Sequence, residues 1–222
     1  MNSDPTIVPP RTPSHLNPWL TGICWAVLGA VLLAVSAAFL SKSAHRSGLP
    51  VYGRLPEFQL MERSGRTVRS ADLKGKVWIA DFIFTRCAGP CPVMTSNMAR
   101  LQQELRNTPD LHLVSFSVDP EFDTPEVLVR YAQRFQAGDR QWLFLTGNVD
   151  MIRKIAEGFK ITMARATGTS TAPLDPNAIL HDTHFMLVDR HGQIRGYYES
   201  VEPDKPRHVA ADALALLKED AP

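Results

Sequence analysis

The sequence feature that most restricts the fold is an apolar run leading directly into two closely spaced cysteines. Residues 76–92 read KVWIADFIFTRCAGPCP, so Cys87 and Cys91 follow a segment typical of a buried strand. Pro92 suits the first turn of a helix, where a missing N–H costs nothing, and it predicts a helix opening at the second cysteine. Backbone N–H groups and the helix dipole favour negative charge at that point, so we expect both thiols to have lowered pKa values.

Two thiols at this spacing allow metal binding or disulfide chemistry. Residues four apart on a helical path have Cβ atoms about 5–6 Å apart. At that distance Cys87 and Cys91 suit a soft metal ion or a disulfide. An incidental pair is disfavoured, because a loop between strand and helix is a poor place to bury apolar sulfur. A purely structural disulfide is a further alternative, although the chain has only three cysteines and is no disulfide scaffold.

The segment 19–40 contains no charged residue and predicts a single membrane anchor. As a helix it spans roughly 33 Å, which matches a hydrocarbon core of about 30 Å. A cleaved signal peptide and a buried core helix are the alternatives; the first is disfavoured because the run is long and only Arg11 precedes it. Cys24, inside the run, is interpreted as a small apolar residue. Positive charges at Lys42 and Arg46 leave the orientation open.

The rest of the chain predicts an α/β domain. The predicted organisation is a disordered tail, a membrane anchor, a linker and one folded domain, at residues 1–18, 19–40, 41–51 and 52–222. Within the domain, the pattern predicts a hairpin at residues 58–68, strands at 76–84, 111–118 and 141–146, and helices at 94–105, 123–135 and 148–159. A mobile loop is expected at residues 162–180, a second hairpin at 184–198 and a last helix at 204–217. This order predicts a mixed sheet flanked by helices.

A third metal ligand is expected from the strand that follows the mobile loop. His181 and His184 open this strand, whereas the other histidines lie where structural or solvated roles are expected. Two thiolates and one imidazole form a soft ligand set suited to Cu(I). A structural zinc site requires a fourth ligand, for which Asp119, Asp182 or His184 is available. Spacing alone does not choose between the two histidines.

At this point the sequence resembles the Sco/SenC family of copper chaperones. Four stretches carry the resemblance: DFIFTRCAGPCP, SVDPEFDTPEVL, FLTG and HDTHFMLVDRHG, at residues 81–92, 117–128, 144–147 and 181–192. The resemblance extends over residues 52–222 and includes the anchor. It implies a thioredoxin-like fold, with the aspartates of the second stretch shaping the loop beside the site.

The resemblance also implies a ligand set and a role. In the family the histidine ligand stands eleven residues before the glycine of the hairpin, here Gly192, so the implied copper ligands are Cys87, Cys91 and His181. The implied task is to deliver copper to, or to keep reduced the cysteines of, the CuA site of cytochrome c oxidase, or to serve another copper protein transiently. The implied location is the cell inner membrane, with a single span and the C-terminal domain in the periplasm.

Two other functions compete with the metallochaperone. A thiol–disulfide reductase would use Cys87 to attack a partner disulfide and Cys91 to resolve the mixed disulfide. A reductase has no need of a histidine from a distant strand. The metallochaperone and reductase roles are compatible in one protein. A peroxide-reducing or redox-sensing thiol is the third alternative. A net charge of +1 gives no basic excess for nucleic-acid binding.

Overall fold

The computed structural model separates the chain into two compact units, Met1–Ala44 and His45–Pro222. The residues that it describes are 18–44, 48–138, 140–161, 183–202 and 206–219. In the first unit, helix α1 runs from Pro18 to Ala44 and exposes large apolar side chains, among them Trp25 and Leu33. Within the described ranges, no helix combines the length and the hydropathy needed to cross a membrane.

The second unit is an α/β domain. Its strands β1–β8 are Gly53–Arg54, Gln59–Glu62, Thr67–Arg69, Val77–Ile83, Leu111–Ser117, Trp142–Thr146, His184–Val188 and Gln193–Glu199. Its helices α2–α5 are Cys91–Glu104, Pro125–Arg134, Val149–Gly158 and Pro206–Glu219, and a 3₁₀ turn covers Ser70–Leu73. The predicted hairpins, strands and helices are therefore confirmed to within a few residues.

The eight strands form one mixed sheet in the order β1-β8-β7-β4-β5-β6-β2-β3. Strands β4, β5 and β6 run parallel to one another. Strand β7 pairs antiparallel with β4 on one side, and the hairpin β2–β3 pairs antiparallel with β6 on the other. The predicted mixed sheet with flanking helices is confirmed, and β4 lies near its centre.

Strand β4 carries the cysteine loop and is buried along its whole length. Trp78 and Phe82 point to one face of the sheet, where both contact the rings of Phe116 and Phe159. Asp81 lies on the opposite face, because successive side chains of a strand alternate. The position of the cysteine loop is thus fixed by a fully buried central strand.

Two helix starts carry polar capping residues, for which the sequence predicts Thr124 at the first and either Asn148 or Asp150 at the second. The hydroxyl of Thr124 accepts a hydrogen bond from the N–H of Val127 at 3.4 Å at the start of α3. The side chain of Asn148 accepts hydrogen bonds from the N–H groups of Asp150 and Met151 at the start of α4. Each cap satisfies N–H groups that a helix leaves without an intrahelical partner.

Part of the predicted linker is held against the domain. The guanidinium of Arg195 donates to the carbonyl of Leu49 at 2.9 Å and to that of Pro50 at 3.3 Å. The same guanidinium makes a buried ion pair with Asp189 at 2.9 Å. The loop predicted at residues 162–180 lies outside the described residues.

Candidate metal centre

Cys87 and Cys91 come together at the carboxyl end of β4, both as free thiols. Cys87 lies in the loop after the strand, and Cys91 is the first residue of α2, with Pro92 in the first turn as predicted. The N–H of Gly89 points to the sulfur of Cys87 at an N–Sγ distance of 3.3 Å. The N–H of Cys87 donates to the carbonyl of Phe84 at 3.2 Å. The tight loop therefore fixes the first sulfur beside the start of the helix.

The electrostatic environment of the second sulfur differs from the prediction. Burial raises the pKa of the Cys91 thiol well above its ordinary value, and a backbone hydrogen bond from Phe84 only partly opposes this. The neighbouring Cys87 thiol, which lies within hydrogen-bonding reach, and the charge of Asp81 raise it further. The predicted lowering of the pKa is therefore wrong for Cys91. Desolvation penalises the thiolate more than the helix start favours it.

A buried carboxylate holds the loop that carries Cys87. Asp123, which is fully buried, accepts hydrogen bonds from the hydroxyl of Ser117 at 2.6 Å and from the hydroxyl of Thr85 at 2.5 Å. The backbone N–H of Thr85 also donates to Asp123, at 3.1 Å. Burial raises the pKa of Asp123, against these hydrogen bonds. Asp123 thus ties the end of β5 to the residues just before Cys87, which agrees with the loop-shaping role implied for it.

Arg86 forms the outer edge of the same loop. Its guanidinium donates to the carboxylate of Asp119, with an Nε–Oδ2 distance of 3.1 Å. It also lies over the ring of Phe122, 4.2 Å from the ring centroid. Asp119, considered above as a fourth metal ligand, is engaged by this arginine.

The structure does not supply a third ligand from the residues that it describes. Over those residues, no group of three histidine, cysteine, aspartate or glutamate side chains is arranged to hold a metal ion. His184 opens β7 as predicted, but its Nε2 lies 3.2 Å from a carboxylate oxygen of Glu199. His181 and Asp182 lie outside the described residues, so the assignment of His181 as a ligand stays a prediction.

Sequence reasoning missed two residues close to the thiols. Asp81 is fully buried, and burial raises its pKa from 3.8 to about 7. Tyr131, from α3, has its hydroxyl 2.8 Å from the hydroxyl of Thr95 on α2. The sequence does contain a signal for Asp81, since it is the single charged residue in the core of an otherwise apolar strand.

Comparison with known proteins identifies the family. The family model described as SCO1/SenC matches residues 53–218, which is most of the chain. The chain belongs to the SCO1/SenC family. The SCO1 protein homolog of Bacillus subtilis is 35% identical to this member over 156 residues, covering 69% of this chain and 77% of that protein.

Solved structures of relatives share the fold. BsSco, a member of the Sco family of cytochrome c oxidase assembly proteins in which a disulfide switch was identified, is 30% identical with a TM-score of 0.63. That match covers 77% of this SCO1/SenC chain and 96% of BsSco. Bradyrhizobium japonicum ScoI, solved with copper bound, is 25% identical with a TM-score of 0.56, and the match covers 74% of this chain and 100% of ScoI. The predicted thioredoxin-like mixed sheet is therefore the fold of this family.

Proposed function

We propose that this chain binds copper through Cys87 and Cys91 and passes it to the CuA site of cytochrome c oxidase or to another copper protein. The observation that carries the proposal is the meeting of two free thiols at the start of α2 in a SCO1/SenC protein. Thiolates are soft ligands that select Cu(I), so the donors present fit the metal. Copper bound to Bradyrhizobium japonicum ScoI supports the same metal here.

His181 completes the proposed site. Copper held by two thiolates and one imidazole has an open coordination position through which a partner protein takes over the ion by ligand exchange. His184 is the natural control, because it opens the same hairpin three residues after His181 and its Nε2 lies 3.2 Å from a carboxylate oxygen of Glu199.

A copper titration of the full chain, kept in mild detergent, tests this proposal. Reduced wild-type protein should bind one Cu(I), and His181→Ala should weaken binding about 10-fold or more, since loss of a ligand costs at least as much as loss of a supporting contact. His184→Ala should bind as wild type does. Oxidised protein should bind poorly because its sulfurs are no longer thiolates. Equal affinity of the reduced and oxidised forms would refute the proposed site.

A thiol–disulfide reductase is the second candidate, favoured by the two adjacent free thiols and by the disulfide switch of BsSco. Cys87 is the attacking thiol in this proposal, because it is the more exposed of the two, at 8% against 4%. Its sulfur bonds to one sulfur of a partner disulfide and releases the other as a thiol. Cys91 then displaces the partner, which leaves a Cys87–Cys91 disulfide and a fully reduced partner.

The two candidates respond differently to the loss of the histidine. If copper delivery is the function, His181→Ala should impair copper binding while leaving the rate of disulfide reduction nearly unchanged. If reduction is the function, Cys87→Ser should abolish the reduction of a partner disulfide at copper concentrations too low to load the site. Reduction of the oxidised CuA-bearing partner by Cys87→Ser protein would contradict the reductase role.

We further propose that residues 19–40 anchor the chain in the inner membrane, with the domain in the periplasm. The support is the absence of charge over those residues, whose length as a helix matches a bilayer. Leu32→Arg, near the middle of the run, should shift the chain from the membrane pellet to the soluble fraction, because a central arginine opposes insertion. Alkaline phosphatase fused after residue 222 should be active; an inactive fusion would contradict the orientation.

A further inference from the structure

Two side chains near the start of α2 return a hydrogen bond to the backbone of its first turn. The hydroxyl of Thr95 donates to the carbonyl of Cys91, and that of Ser96 donates to the carbonyl of Pro92, each at 2.8 Å. Ser96 is exposed, so water can replace its bond, whereas Thr95 is fully buried. A bond of this kind adds little to the stability of a helix by itself. The buried bond of Thr95 therefore requires a further explanation.

A tyrosine from α3 supports the bond made by Thr95. The hydroxyl of Tyr131 lies 2.8 Å from that of Thr95, and Tyr131 is itself buried. A threonine hydroxyl carries one proton, and that of Thr95 points to the carbonyl of Cys91. Tyr131 must therefore be the donor to Thr95, which completes a chain of two hydrogen bonds from α3 to Cys91. Hydrogen bonds in series strengthen each other in a buried environment.

The ring of Tyr131 is fixed by packing, so its hydroxyl acts from a rigid support. The ring centroid lies 5.0 Å from that of Phe135 and 6.3 Å from that of Phe144, a fully buried residue of β6. The chain of hydrogen bonds thus joins the first turn of α2 to both α3 and the sheet. Removal of the hydroxyl alone, as in Tyr131→Phe, keeps the ring that makes these packing contacts.

The segment that carries Tyr131 also holds the other cysteine. Asp123, just before the start of α3, accepts a hydrogen bond from the backbone N–H of Thr85 at 3.1 Å. Thr85 lies two residues before Cys87. One continuous segment therefore contacts the chain beside each sulfur, through Asp123 at the first cysteine and through Tyr131 and Thr95 at the second.

We propose that Tyr131 is a positioning residue for the dithiol site: acting through Thr95, it holds the main chain of Cys91 where both sulfurs can bind one metal ion or join in a disulfide. Without the tyrosine hydroxyl, the first turn of α2 is freer to move, and the two sulfurs spend less time close together. This inference rests on the proposed function, because it concerns the same two thiols. It applies equally to copper binding and to disulfide exchange.

Copper affinity is the first test, measured by titrating the reduced full chain in mild detergent with Cu(I) against a competing chelator. Tyr131→Phe and Thr95→Val should each weaken binding about 10-fold, as loss of a contact that orients a metal ligand does. Thr95→Ser keeps the hydroxyl and should bind as wild type does. Ser96→Ala, the matched control, removes the exposed bond to Pro92 and should also bind as wild type does. Because Tyr131 and Thr95 act through one chain, the double variant should bind no more weakly than Thr95→Val.

The equilibrium with glutathione tests the positioning without metal. Oxidation by glutathione disulfide joins the sulfurs of Cys87 and Cys91 and releases two molecules of glutathione. Sulfurs held close together favour this internal disulfide, so Tyr131→Phe should lower its equilibrium constant about 5-fold, the factor that one net hydrogen bond is worth. Ser96→Ala should leave the constant unchanged. All proteins in this assay carry Cys24→Ser, so that only the two site thiols react.

The outcomes separate this inference from the proposed function. If reduced wild type binds no copper, copper delivery fails, and the glutathione equilibrium still decides the role of Tyr131. If wild type binds copper and Tyr131→Phe equals it in both assays, the positioning role is refuted. Equal losses in Tyr131→Phe and Ser96→Ala would refute it too, because any disturbance of α2 would then suffice. Should Tyr131→Phe fail to fold, Thr95→Val and Thr95→Ser decide the question, since only the first lacks the hydroxyl.

Discussion

Replacement of Asp81 by asparagine is expected to make the stability of the chain less sensitive to a rise in pH from acid to neutral. Burial raises the pKa of Asp81 from 3.8 to about 7 in the folded chain. The unfolded chain loses this proton near its ordinary pKa, whereas the folded chain keeps it until the pH approaches 7. The stabilisation is therefore complete at acid pH, declines as the pH rises above about 4, and is fully lost above about 7. An asparagine in the same place does not titrate.

The magnitude follows from the difference between the two pKa values. Each pH unit between them lowers the free energy of unfolding by about 1.4 kcal/mol. Between about pH 5 and the folded pKa there are two such units, so wild type should lose roughly 3 kcal/mol more than Asp81→Asn does between about pH 5 and pH 8. Cys91 and Tyr131, whose pKa values the charge of Asp81 raises, stay protonated over this pH range in both folded proteins, and the remaining titrations are common to the two and cancel in this comparison.

The assay is denaturant unfolding of the full chain at the two pH values, followed by near-ultraviolet circular dichroism. Trp78 and Trp142 are buried on opposite faces of the sheet and report the loss of tertiary packing. Asp110→Asn, which removes an exposed carboxylate, should show little pH-dependent difference from wild type. A difference between wild type and Asp81→Asn that stays constant from about pH 5 to pH 8 would refute the assignment of a raised pKa to Asp81.

Two further substitutions test the packing around the site. Asp123→Ala should lower the free energy of unfolding by roughly 3 kcal/mol, because it leaves buried donors unpaired, and it should speed alkylation of Cys87 by iodoacetamide. Asp123→Asn keeps an acceptor and should lose less stability. Equal effects of the two substitutions would contradict the role of Asp123 in holding the loop. Gly196→Ala should lower the melting temperature, because an added Cβ would lie 2.5 Å from the hydroxyl of Tyr198, which is held by a 2.6 Å hydrogen bond to Asp212. An unchanged melting temperature would show that the tyrosine moves aside freely.

The features that sequence alone predicted well are those determined by local interactions. Thr124 and Asn148 cap their helices because a short polar side chain before a helical run satisfies N–H groups of the first turn. The hairpins follow from alternating strands around short polar turns. Strand β1, by contrast, has only two residues, and its pairing with β8 involves no pattern long enough to detect.

The features that sequence missed depend on packing between distant segments. Proximity of Cys91 to a helix start predicts a lowered pKa, but the actual environment is set by α3, the sheet and Asp81, which surround the thiol only in the folded chain. Burial is a property of the whole domain, so the size of the desolvation effect is absent from the local sequence. The position of Arg86 against Asp119 and Phe122 is likewise created by folding, since more than thirty residues separate them along the chain.

The raised pKa of Cys91 bears on which chemistry the site performs. A peroxide-reducing or sensing thiol must be a thiolate at neutral pH, and burial of Cys91 opposes that state. A metal ion changes the balance, because formation of a metal–thiolate bond compensates for the loss of the proton. The Cys91 thiol is then held in its unreactive protonated form until a soft ion binds or the Cys87 sulfur forms a mixed disulfide with a partner. Burial of the second thiol therefore argues against Cys91 itself as a peroxide-reducing thiol, and it is compatible with metal binding through both sulfurs.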